Sequence, residues 1–196
     1  MNLPNKLTTS RLVLTVIFLA AIFGNFPGNN TLAFILFVVA SLTDWLDGAI
    51  ARRRKLITNF GILMDPLADK ILTCSAFIAF VGREYVPAWM VVVVVARELA
   101  ITGLRLLAAS KSVVLAAERY GKHKTISQMV TVSAILLRAS YPSWGPVGQS
   151  ICGWEIAGHS WVSWLADVSL WLSVSLTFIS GCLYLWRNRE LYLSDM

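Results

Sequence analysis

The chain has 196 residues, 57% of them hydrophobic and 14% charged, with a mean hydropathy of +0.66. That balance excludes an ordinary soluble domain and predicts an all-α integral membrane protein, one domain over residues 1–196, with room for about six crossings of roughly 20 residues each. The formal charge of +6 is read as Lys and Arg on loops facing anionic lipid, so no nucleic-acid partner is expected.

In chain order, "NLPNKLTTSR" mixes apolar and polar residues and predicts a short N-terminal interfacial helix. Residues 12–24 form the first span, uncleaved although Lys6 and Arg11 precede it as in a signal peptide, because further apolar segments follow directly. "NFPGNN" is turn chemistry, and a second span covers residues 31–52. A third is expected over 62–81, a fourth over 87–109, a fifth over 124–137 and a sixth over 161–186. Cys74, Cys152 and Cys182 are odd in number and widely separated, which fits packing residues better than disulfides or a metal cluster. The Trp-rich stretch 141–164 reads as a long loop carrying an interfacial aromatic belt.

Positive charge sets the expected orientation. Lys6, Arg11, Arg52, Arg53, Arg54, Lys55, Lys111, Arg119, Lys122, Lys124, Arg187 and Arg189 fall on one side of this arrangement, with little but Arg83 and Arg138 opposite. Both termini are therefore expected in the cytoplasm, in a multi-pass protein of the cell (inner) membrane.

The stretch "SLTDWLDGAIARRRKLITNFGILMDPLADK" places Asp44, Asp47, Asp65 and Asp69 at that same side, between apolar segments. Carboxylates at membrane depth are costly, so they mark a functional site. Helical spacing puts Asp44, Asp47, Gly48 and Ala51 on one stripe, and Asp65 and Asp69 on another. Pro66 disfavours helical geometry at Asp65, so the third helix either begins at Pro66 or bends there. Four neighbouring carboxylates repel unless cations lie between them. The set is all oxygen, with neither His nor Cys, and suits Mg²⁺ or Mn²⁺ rather than zinc. A pair of such ions is a recurrent apparatus of phosphoryl chemistry. Gly48 and Ala51 leave room for a bulky group, and Arg52 adds a phosphate-directed charge. The plainer alternative, interfacial salt bridges to residues 52–55, does not require acids and small residues on one face.

The order Asp44, Asp47, Gly48, Ala51, Arg52, Gly61, Asp65, Asp69, at these spacings, resembles the signature of the CDP-alcohol phosphotransferases. The resemblance implies a six-span membrane enzyme, usually a homodimer, that moves a phosphatidyl group from a CDP-lipid to an alcohol and releases CMP. It implies that two divalent cations, Mg²⁺ or Mn²⁺, are held by Asp44, Asp47, Asp65 and Asp69, with Asp69 also the general base. It implies that Asp44, Gly48, Ala51, Arg52 and Gly61 meet the cytidine nucleotide. Asn5 and Thr8 have two readings, contact with nucleotide or headgroup and an ordinary helix-start role.

"NLPNKLTTSR", "PLADKIL", "ARELAITGLR" and "GKHKTISQM" further resemble the branch of that family whose acceptor is glycerol 3-phosphate, so CDP-diacylglycerol and glycerol 3-phosphate are the implied substrates and phosphatidylglycerol phosphate and CMP the products. A dianionic acceptor needs fixed positive charge. Arg105, Lys122 and Lys124 are the leading residues for its phosphate, with Arg11 at the start of the first span. Arg97, eight residues before Arg105 and followed by Glu98, reads equally as a substrate contact and as half of a structural ion pair. Rival readings are a family member with an inositol-phosphate or serine acceptor, and an ion transporter with an acidic site. A transporter would place its carboxylates near the bilayer midplane rather than beside Arg52.

Overall fold

A computed structural model of the chain describes the backbone of residues 3–54, 59–111 and 120–193 and the side chains of residues 9–43, 70–111 and 124–192. Six long helices dominate: α1 (Leu3–Phe23), α2 (Asn29–Arg54), α3 (Asn59–Gly82), α4 (Ala88–Ser110), α5 (Tyr120–Ser140) and α7 (Trp161–Arg187). Between α5 and α7 lie a 3₁₀ turn (Tyr141–Trp144), the short helix α6 (Gly145–Cys152) and a two-stranded hairpin, β1 (Glu155–Ile156) with β2 (His159–Ser160). A final turn of helix, α8 (Arg189–Leu193), follows α7.

The six long helices close into a ring. α1 packs on α2, α2 on α5, α5 on α7, α7 on α4, α4 on α3, and α3 returns to α1, while α3 also reaches α5 across the middle. The seam is apolar and tightly filled. Phe18 and Ile22 of α1, Ala33 and Phe37 of α2, Phe77 and Phe80 of α3, Val94 of α4, Val132 and Ile135 of α5 and Ala166 of α7 are all buried. Small and large residues alternate across the helix contacts. The Phe18 and Phe37 rings meet at 6.0 Å, tilted, where Ala33 and Ala40 leave space beside Phe37.

The outer surface is also apolar. Val16 is 67% exposed, Leu99 68% and Trp186 68%, and α7 presents Val168, Trp171, Leu172, Phe178 and Ile179 outward. A surface of this kind on every long helix with described side chains is rare on soluble monomers and belongs against lipid or protein. Among the described residues α7 is long and apolar enough to cross a bilayer, and shorter apolar stretches occupy Thr9–Phe23, Asn29–Thr43 and Lys70–Gly82.

Several local expectations change. The helix expected over Asn2 to Arg11 is not a separate element, because α1 runs unbroken from Leu3 to Phe23. Of the two readings of Pro66, a helix start at that residue is excluded, because α3 begins at Asn59. The 141–164 stretch is structured: the hairpin turns through Ala157 (φ 53°) and Gly158 (φ 82°), and Ser160 caps α7 by accepting from the Ser163 amide at 3.3 Å. Three of its four indoles are structural anchors, since Trp144 donates to Thr31 Oγ1 at 2.8 Å, Trp161 to the Ile151 carbonyl at 3.0 Å and Trp164 to the Ile156 carbonyl at 2.9 Å. Of the cysteines, Cys152 is buried, Cys74 half-buried and Cys182 exposed, and all three are free thiols.

Successive long helices alternate in direction, so the chain has two distinct ends. At one, Asn30 donates to the Ala139 carbonyl (3.1 Å) and accepts from Tyr85 (3.2 Å), while Arg138 pairs with Asp167 (2.8 Å) and donates to the Tyr85 carbonyl (3.3 Å). At the other lie the C-terminal halves of α2, α4 and α7 and the N-terminal halves of α1, α3 and α5, which carry the acidic motif and most of the basic residues.

Candidate active site

The backbone of the acidic motif is helical on both sides of the α2–α3 connection. α2 remains helical through positions 44 to 52 and α3 through positions 61 to 69, so the three- and four-residue spacings place positions 44, 47, 48 and 51 on one helix face and 65 and 69 on another. The side chains of Asp44, Asp47, Gly48, Ala51, Arg52, Gly61, Asp65 and Asp69 lie outside the described residues, as do those of Asn5, Thr8 and Lys122. As a donor set, four carboxylates on two consecutive helices fit hard divalent cations.

Beside that motif the structure builds a buried polar cluster around Glu98 of α4. A carboxylate on an otherwise apolar helix must find cations, and Glu98 finds them on three helices. The Lys124 ammonium of α5 pairs with Glu98 Oε1. Arg97 Nη1 stands 3.6 Å from that same oxygen, and the Lys70 ammonium of α3 stands 3.9 Å from Oε2. Lys70 also donates to Thr102 Oγ1, and Thr102 donates back to the Glu98 carbonyl at 2.7 Å. The side chains of Lys124 (5% exposed), Glu98 (9%) and Arg97 (13%) are all withdrawn from the surface.

α7 shapes the other wall. Arg97 Nη2 donates to Ser180 Oγ at 3.4 Å, and its stem passes Gly181, where a Cβ would lie 2.7 Å from Arg97 Cγ. Gln128 donates to Thr177 at 3.4 Å. About two turns along α4, Arg105 Nε donates to the Tyr184 hydroxyl at 3.4 Å, with its guanidinium 5.8 Å from the Tyr184 ring centre. The structure therefore brings Arg97 and Lys124 together through Glu98 and sets Arg105 nearer the end of the bundle. Arg11 is buried on α1, the helix that packs against α2 and α3.

Arg97 pairs with Glu98, as the ion-pair reading expects, and also faces α7 as Arg105 does. Lys70, Thr102, Ser180, Gly181 and Tyr184 were not singled out by the sequence. The available signal was Glu98 itself, the sole acidic residue of α4, which required partners from elsewhere in the chain.

Comparison with known proteins decides the family. The sequence model of the CDP-alcohol phosphatidyltransferases matches residues 1–179. The chain belongs to this family. Among similar CDP-alcohol phosphatidyltransferases, a Bacillus subtilis protein named CDP-diacylglycerol–glycerol-3-phosphate 3-phosphatidyltransferase is 40% identical over 96% of both chains. A Rickettsia felis protein of the same name is 34% identical over 93% of each. A Mycobacterium tuberculosis protein named probable phosphatidylglycerophosphate synthase is 39% identical over 72% of this chain and 68% of its own.

Proposed function

We infer that the chain is a membrane transferase of phospholipid synthesis that moves the phosphatidyl group of CDP-diacylglycerol to sn-glycerol 3-phosphate, giving phosphatidylglycerol phosphate. The carrying observation is the near full-length identity to relatives named for that reaction. The cluster of Lys70, Arg97 and Lys124 fits it, because a dianionic acceptor needs fixed positive charge beside the reacting centre.

In this reading Asp44, Asp47, Asp65 and Asp69 hold two divalent cations, Mg²⁺ or Mn²⁺. When bound, such ions supply charge stabilisation to the attacking and leaving oxygens. Gly48, Ala51, Arg52 and Gly61 receive the cytidine nucleotide, with Asn5 and Thr8 beside it. Arg97, Arg105, Lys122 and Lys124 hold the acceptor phosphate, joined by Arg11. Asp69 takes the proton from the primary hydroxyl of glycerol 3-phosphate. That oxygen bonds to the phosphorus carrying diacylglycerol, the bond from this phosphorus to the CMP oxygen breaks, and CMP departs. Holding both reactants in line accounts for much of the acceleration in such a transfer.

The same reading takes the six long helices as spans of one domain, residues 1–196, in the cell (inner) membrane. The active-site end and both termini face the cytoplasm, and the protein works as a homodimer. The apolar outer surface and the gathering of Lys and Arg at one end support it. The test is CMP release by detergent-purified protein given CDP-diacylglycerol, Mg²⁺ and one acceptor at a time. Release that requires glycerol 3-phosphate is expected, whereas release with inositol phosphate or serine instead would overturn the acceptor.

A further inference from the structure

Glu98 is a costly residue to keep if its role is only to hold helices together. A buried ion pair stabilises little compared with apolar packing of similar volume, so a carboxylate in the interior of an apolar bundle calls for another reason. Its partners supply one. Lys70, Arg97 and Lys124 come from α3, α4 and α5, and each is within ion-pairing reach of the one Glu98 carboxylate, Lys124 and Arg97 on Oε1 and Lys70 on Oε2. Two of the three are lysines, point charges on four-carbon stems that hold a position only as well as their partners hold them.

We propose that Glu98 is a positioning residue for the acceptor, a carboxylate that gathers Lys70, Arg97 and Lys124 into one fixed phosphate-binding constellation. Lys70 joins the acceptor site on this view, held from a second side by Thr102. Arg97 is held from a second side by Ser180, so the carboxylate and the two hydroxyls together fix the geometry. Preorganisation of this kind acts on binding, since the ordering of the cations is completed before the acceptor arrives. The proposal rests on glycerol 3-phosphate being the acceptor.

The test compares wild type, Glu98→Gln, Glu98→Asp and the near-isosteric Thr102→Val by initial rates of CMP release in detergent with Mg²⁺, varying each substrate in turn. Thermal unfolding of the same samples is followed in parallel. Glu98→Gln is expected to raise KM for glycerol 3-phosphate by about tenfold and leave KM for CDP-diacylglycerol within about twofold, because uniform binding of one substrate is lost. Glu98→Asp recovers part of that loss. Thr102→Val, which keeps the carboxylate, gives a smaller rise confined to the same substrate, and decides the matter if Glu98→Gln does not fold. Folded variants with unchanged KM for glycerol 3-phosphate, or with both KM values shifted alike, overturn the positioning role alone. Wild-type protein that releases no CMP with glycerol 3-phosphate overturns the functional reading and this inference with it.

Discussion

Arg97 occupies the space that Gly181 leaves on α7: a Cβ there would stand 2.7 Å from Arg97 Cγ, and the guanidinium goes on to Ser180 at 3.4 Å. Two effects of Gly181→Ala oppose each other. Alanine in a helix interior gains roughly 0.5–1 kcal/mol over glycine, while overpacking costs about 1–3 kcal/mol. Stability is expected to fall by about 1 kcal/mol, seen as a lower unfolding midpoint in detergent. KM for glycerol 3-phosphate is expected to rise about fivefold as Arg97 is pushed aside. An unchanged KM would remove Arg97 from the acceptor site.

Asp44→Asn and Asp69→Asn are each expected to lower CMP release by about 100-fold or more. Their stability should change sign with metal. In chelator, removing one of several crowded carboxylates relieves repulsion and raises the unfolding midpoint above wild type. With Mg²⁺ at about 100 times its dissociation constant, wild type gains about 2.7 kcal/mol from binding and the order reverses. Differential scanning of each protein with and without Mg²⁺ checks this, and a wild-type midpoint indifferent to Mg²⁺ and Mn²⁺ would argue against the metal site.

Ala157 sits at φ 53° in the hairpin turn that precedes α7, a conformation glycine adopts without cost. Ala157→Gly is therefore expected to stabilise the hairpin by about 1 kcal/mol. Protection of the 155–160 amides in hydrogen exchange would increase, with CMP release unchanged.

Asp167 is exposed and pairs with Arg138 at 2.8 Å, at the end of the bundle opposite the acidic motif. Asp167→Ala is expected to cost less than about 1 kcal/mol and to leave both KM values unaltered. A selective effect on the acceptor would mean that the two ends communicate.

The helices were legible because each carries an apolar run too long for a strand. The helical segments expected over 87–109 and 161–186 agree closely in their bounds with α4 (Ala88–Ser110) and α7 (Trp161–Arg187). Elsewhere the apolar run understates the helix. α5 extends from Tyr120 to Ser140 around an expected 124–137, because main-chain hydrogen bonding continues through Lys122, Ser140 and their neighbours after hydropathy has dropped. That positions 44, 47, 48 and 51 share one face of α2 was legible from spacing alone, since helical periodicity converts three and four residues into one face. The Glu98 cluster was not, because its members are separated by 28 positions from Lys70 and 26 from Lys124 (98 − 70 and 124 − 98) and meet only once α3, α4 and α5 are packed. The close pass of Arg97 over Gly181 depends likewise on the angle between α4 and α7, which no local pattern encodes.

The two ends of the helical ring are fastened by different kinds of bond. At the Trp-rich end, beside the exposed Arg138–Asp167 pair, side chains are stitched to main-chain carbonyls, Asn30 to Ala139 and Arg138 to Tyr85, with Trp144 seated on Thr31. At the other, Lys70, Arg97 and Lys124 converge on a carboxylate through long side chains. Directional bonds to backbone resist displacement, whereas cations gathered on long side chains can add a contact to an arriving anion without moving a helix axis. The molecule is thus built like a clothes-peg, pinned at one rim by bonds to main chain and clasped at the other by charge.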